Sequence, residues 1–254
     1  LTIANTTSAP SNTANFGVGL FGRVSGSSFE VSNIRLQAVN VSGTPDNADS
    51  GTGALVGSLD NGGQFSRIEI SGNVSGFRNT GALTGLVEAG SAAISNVTVA
   101  VSITDSDQRA GGLIGLINTG AEADLQDIRF SGNVSSPEKA GGLVGEADSV
   151  TVEKARIETN VTNTGENFLP GGVIGEADRA VISHVRVNGS LVGVDGAGGF
   201  VGRGFGALVE IEQSAGNFSL LEGSDTSEIS GGVGGFVGAQ ISGIDIRVSN
   251  SLVN

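Results

Sequence analysis

Apolar residues fall in short clusters along this chain, never in long runs. The most regular cluster is a four-residue tag with two bulky positions between small ones. It reads Gly-Leu-Phe-Gly ending at Gly22, Ala-Leu-Val-Gly at Gly57 and Ala-Leu-Thr-Gly at Gly85. Gly-Leu-Ile-Gly follows at Gly115, Gly-Leu-Val-Gly at Gly145, Gly-Val-Ile-Gly at Gly175, and Gly-Phe-Val-Gly at Gly202 and Gly238. The closing glycines are spaced 35, 28, 30, 30, 30, 27 and 36 residues apart. Self-similarity at a fixed period is the signature of a repeat architecture. A second element is a three-residue alternation of apolar and polar positions: Ile34-Arg35-Leu36, Ile68-Glu69-Ile70, Val97-Thr98-Val99, Ile128-Arg129-Phe130, Val185-Arg186-Val187 and Ile246-Arg247-Val248. Period-two alternation predicts a strand with one buried face. Soon after it comes Asn-Val-Ser or Asn-Val-Thr at Asn40, Asn73, Asn133 and Asn160, and Asn-Phe-Ser at Asn217.

Each repeat therefore holds about three short extended segments and a variable polar loop. No segment carries a 3.6-residue period, which excludes helical repeats, and the Leu-rich frame of leucine-rich repeats is absent. A propeller blade needs about 40 residues or more. The prediction is an all-β chain, a parallel β-solenoid (β-helix) of about eight coils and roughly 30 residues per coil, forming one domain over 1–254. Coils stacked at about 4.8 Å would make a rod on the order of 40 Å long. Leu20, Leu55, Leu83, Leu113, Leu143, Val173, Phe200 and Phe236 should form one inner column. The pairs Gly111-Gly112, Gly141-Gly142 and Gly171-Gly172 should turn a corner, where glycine tolerates positive φ. The recurrent Asn should stack as an amide ladder at another corner. Arg35, Arg129, Arg156, Arg186 and Arg247 should share an outward column with Glu69 and Thr98. Such a column needs acidic neighbours, either within the rod as a salt-bridge ladder or on a second rod lying alongside.

Composition narrows the reading. Glycine supplies 43 of 254 residues, but only four prolines occur and no Gly-x-y period runs, so collagen is excluded. The apolar share is 38% and the charged share 15%, which argues against disorder. There is no Cys, so no disulfide framework and no thiolate chemistry. The chain also lacks Met and opens on Leu1, which predicts a processed product or a piece of something longer. No apolar run is long enough to cross a membrane as a helix. Net charge is −13 with only two lysines, which disfavours a nucleic-acid partner.

The tag resembles the GLUG motif of large bacterial surface and secreted proteins. The match is full at Gly19–Gly22, Gly112–Gly115 and Gly142–Gly145. It departs at Ala54, Ala82, Thr84, Val173, Phe200 and Phe236. The resemblance implies an extracellular β-rich repeat region and no catalytic residue, since the motif belongs to the scaffold.

Candidate chemistry is sparse. The one histidine, His184, sits beside a strand, and no Gly-x-Ser-x-Gly elbow surrounds a serine, so a Ser-His-Asp triad lacks its frame. One imidazole also falls short of a histidine metal site. Carboxylates are numerous enough for a carbohydrate-active β-helix, but Trp and Tyr, the usual sugar platforms, are missing. The inter-repeat loops carry Asp46, Asn47 and Asp49; Asp105 and Asp107; Asp195; and Glu222, Asp225 and Glu228. Hard oxygen ligands along one edge are a candidate Ca²⁺ site, with a solvated acidic edge as the plainer reading. The Thr-x-Thr array of ice-binding solenoids is absent. Asn-x-Ser/Thr sequons recur from Asn5 to Asn217, where stacked corners also favour these residues.

The two ends read as similar phases of the coil. Leu1–Thr7 resembles Ile68–Ser75, and Ile246–Val253 resembles Val185–Val192. The expectation is a structural rod at the cell surface, either a fibre subunit whose partners are further copies joined through coil ends, or a segment of a large adhesin contacting other surface proteins. An adhesive or Ca²⁺-binding module is the alternative, and a carbohydrate-active enzyme the third. No catalytic, cofactor or metal residue is assigned.

Overall fold

A computed structural model of the chain describes residues 2–5, 17–26, 29–43, 50–166, 168–222, 233–240 and 244–254. Every regular element among them is a strand, and every strand pairing is parallel. The chain is a β-solenoid. Six turns are complete: 52–76, 79–105, 109–136, 139–163, 171–193 and 197–222. The first and last repeats add partial turns, through Phe21–Val24 at one end and Val237–Gln240 at the other. That is fewer complete turns than the eight tags suggest.

One turn shows why these residues wind this way. It opens on a two- or three-residue strand, as in Arg109–Gly111 and Lys139–Gly141, which lie side by side. The glycine pair follows. Its role differs from the sequence expectation, because neither Gly142 nor Gly112 has positive φ. A Cβ on Gly142 would instead overlap the carbonyl oxygen of Gly172 in the next turn, and one on Gly112 would overlap that of Gly142. Glycine is required here for the close approach of stacked backbones.

The tag then enters the core. Leu55, Leu83, Leu113, Leu143, Val173 and Phe200 are fully buried in one column. Their backbones form a continuous ladder, with Leu113 N–H donating to Leu143 O, Leu143 to Val173, Val173 to Phe200 and Phe200 to Phe236. In the outer turn Leu20 is 43% exposed. The long strand comes last and supplies further columns by its alternation. One contains Phe65, Ile94, Leu125, Val152, Ile182 and Ile211 in register. Phenylalanines fill gaps between turns, the Phe200 ring stacking on Phe236 at 5.6 Å and meeting Phe218 edge-on.

The long strand bends midway at one non-glycine residue in the left-handed region. Asn33, Arg67, Asn96, Asp127, Lys154, His184, Gln213 and Asn250 occupy this corner in successive turns, with φ between 48° and 58°. The corner corrects one phase assignment. Ile246 pairs with Val209, which lies before the corner, and not with the column of Val185. Arg247 accordingly faces Glu210 rather than joining the Arg35 column. Apolar alternation runs on both sides of the bend, as Val150-Thr151-Val152 shows, so three residues alone do not set the phase.

Candidate functional site

Two clusters of charge stand out against the apolar columns. The first lies where the tag strands leave the corner. Arg109 and Lys139 stack in one column, and Glu146, Glu176 and Arg203 in the neighbouring one. Lys139 Nζ sits 2.8 Å from Glu146 Oε2 and 3.0 Å from Glu176 Oε1. Arg109 caps Glu146 from one side, and the Arg203 Nε donates to Glu176 Oε2 at 2.5 Å on the other. The result is an alternating chain, Arg–Glu–Lys–Glu–Arg, crossing successive turns. Burial alone would raise the pKa of Glu146, but the charges and hydrogen bonds of Arg109 and Lys139 outweigh it and hold the carboxyl below its ordinary value. Sequence inspection missed this chain. Its signal was present, since Glu146, Glu176 and Arg203 each follow a tag glycine directly and Arg109 and Lys139 each precede an Ala-Gly-Gly.

The acidic loop edge is described in part. Asp105 is buried with both oxygens engaged. Its Oδ1 accepts from the backbone N–H of Arg78, Asp107 and Gln108 at 3.2, 2.9 and 2.8 Å, and its Oδ2 accepts from the Thr80 hydroxyl at 2.5 Å. Asp105 closes the turn into the next short strand, as Ser136 and Asn163 do in the following turns. Burial raises its pKa against the pull of those hydrogen bonds. Asp195 is buried at the corresponding edge and Asp107 lies 3.7 Å from Arg78. Asp46, Asn47, Asp49, Asp225 and Glu228, with the Glu222 side chain, lie outside the described residues. Among the described residues no three His, Asp or Glu side chains gather as a metal site. No helix among them is long and apolar enough to cross a membrane.

The second cluster is on the outer surface beside the left-handed corner. Arg35, Glu69, Thr98, Arg129, Arg156 and Arg186 form the predicted outward column. Part of it is the salt-bridge ladder, with Arg35 gripping Glu69 at 2.6 Å. Arg156 turns to Glu158 of its own strand at 2.6 Å. Arg129, Arg156 and Arg186 stand on three consecutive turns, and Lys154 and His184 stand at the corner next to them. Together with Asp127 they line a shallow open groove of about 590 Å³. His184 is exposed there, with no serine elbow near it.

The asparagine ladder exists in part. Asn160 Nδ2 donates to Asn133 Oδ1 at 3.1 Å, and the Ser190 hydroxyl donates to Asn160 Oδ1 at 2.7 Å. It runs along outward strand positions rather than at a corner, and Asn217 pairs with Asn188 in a different column. No family model, curated protein or solved structure matches the chain.

Proposed function

We propose that the chain is an extracellular structural protein, a β-solenoid rod that stacks end to end into a fibre or forms a rigid segment of a large surface adhesin. One observation carries this reading. Strands pair in parallel through all six complete turns, the register shifting only locally as between Ile117 and Glu122, so backbone hydrogen bonds and apolar columns run along one axis. That axis is stiff, because each turn is fixed by both its neighbours. The outer described turns also leave apolar side chains in water that inner turns bury, Leu20 and Phe21 on one side and Val233 and Val248 on the other. A further coil laid on either face would cover them, and parallel strand edges offer its hydrogen bonds. The resemblance of the tag to the GLUG motif supports the cell-surface setting. The role assigned is mechanical, with no catalysis.

Negative-stain electron microscopy of the purified chain tests this. Long uniform filaments are the outcome for a fibre, and discrete short rods the outcome for an adhesin segment. Compact particles without a long axis would sink both.

A further inference from the structure

We propose that the Arg129–Arg156–Arg186 face binds an extended acidic polysaccharide lying along the solenoid axis, its carboxylates seated on successive guanidinium groups. The geometry is that of a comb. Register places the three arginines on consecutive turns, at the strand spacing of about 4.8 Å. All three are exposed. Glu158 holds Arg156, and Glu153 holds Lys154 at 3.1 Å. Among the described residues no carboxylate pairs with Arg129 or Arg186. In a chain of net charge −13 with 13 basic residues, two such guanidinium groups flanking a third are a concentrated exception. Guanidinium presents a planar fork that matches a carboxylate, so the chemistry selected is repeated carboxylate.

Three features favour a sugar polymer over other polyanions. The groove mixes signs, because Asp127 lines it among the cations, and Glu153 and Glu158 pair with its Lys154 and Arg156. Those carboxylates can accept hydrogen bonds from sugar hydroxyls, while a bare polyphosphate would meet them only with repulsion. No aromatic ring lines the groove, so unpaired bases would find nothing to stack on. A second copy of this chain is a poor occupant as well. No column of described residues carries free acids on three consecutive turns to match the three arginines. A uronate polymer brings its own repeat, with one carboxylate per sugar along its length. The proposal does not depend on whether rods polymerise.

The test is affinity electrophoresis and calorimetry with alginate, a polyuronate, at low ionic strength. Neutral dextran and a thymidine oligonucleotide serve as comparisons. Wild type should bind alginate, weaken as salt rises, and leave dextran unbound. Arg129→Gln with Arg186→Gln should lower alginate affinity about tenfold or more, with unchanged circular dichroism. Arg35→Gln, on the same outer column but paired with Glu69 and away from the groove, should bind as wild type. Absence of alginate binding would overturn the proposal, as would equal binding by the double variant. Tighter binding of the oligonucleotide would do the same. So would a double variant that loses self-association while keeping its alginate affinity.

Discussion

Replacing Lys139 with methionine should break the partly buried charge chain at its centre. The substitution keeps most of the side-chain length, and Lys139 is only 12% exposed, so shape is little changed. Each contact, at 2.8 and 3.0 Å, represents a gross attraction of about 5–6 kcal/mol at an effective dielectric of about 20. Desolvation of the ammonium cancels much of that. What remains after substitution is two carboxylates on adjacent turns, each left with one arginine. Removing one partner of a buried pair costs about 3–5 kcal/mol, and the two surviving arginines bring the expectation to about 2–3 kcal/mol at neutral pH. The sign with pH follows from Glu146. Its folded pKa is lowered, so the stability it contributes is present above the unfolded value and lost as pH falls through the folded one. Without Lys139 the folded value moves back up. The gap between variant and wild type should therefore be full near pH 7 and smaller near pH 3, as pH falls toward the lowered folded value of the wild type. Guanidinium denaturation followed by circular dichroism at the two pH values measures it. A gap of equal size at both, or none at neutral pH, would refute the electrostatic account and leave packing as the cause.

Asp105→Ala should lose about 1–3 kcal/mol by leaving three turn N–H groups without their acceptor. Asp105→Asn keeps that oxygen. Because burial raises the Asp105 pKa, its stabilisation is full below the ordinary carboxylate range and lost as pH rises through the raised value. The Asn variant should remove that slope and melt no lower than wild type at neutral pH, as thermal scans across the acid range would show. Gly142→Ala should be the more damaging of two glycine substitutions, by about 1–3 kcal/mol or more, since the added carbon overlaps Gly172 backbone. Gly120→Ala meets open space and carries only the cost of φ at 81°, about 1–2 kcal/mol. Denaturant midpoints of the two compare them directly.

The solenoid was legible because its strongest constraint is local. A tag whose first bulky residue must fill one column, and whose glycine must admit the next backbone, repeats wherever a turn repeats. Leu55 through Phe200 landed where that logic put them. The phase of Ile246 was not legible, because alternation is identical before and after the corner and the corner carries no fixed residue type. Its occupants range from Asn to Lys to His. The role of Asp105 was not legible for a related reason. An aspartate in a turn has two employments, binding a cation or holding the turn's own N–H groups, and composition does not separate them. Three-dimensional pairing does, through Thr80 and the three amides.

The left-handed corner has one more consequence. A bend that glycine would make at least cost is made eight times by larger residues, Arg67 even reaching back to hydrogen-bond Asn33 at 2.7 Å. Their side chains point away from the core, so the winding constrains the backbone there and leaves the chemistry open. The corner is in effect a printed margin, with one writable character per turn at constant pitch. Recognition can be rewritten along it, letter by letter, while the page beneath stays the same.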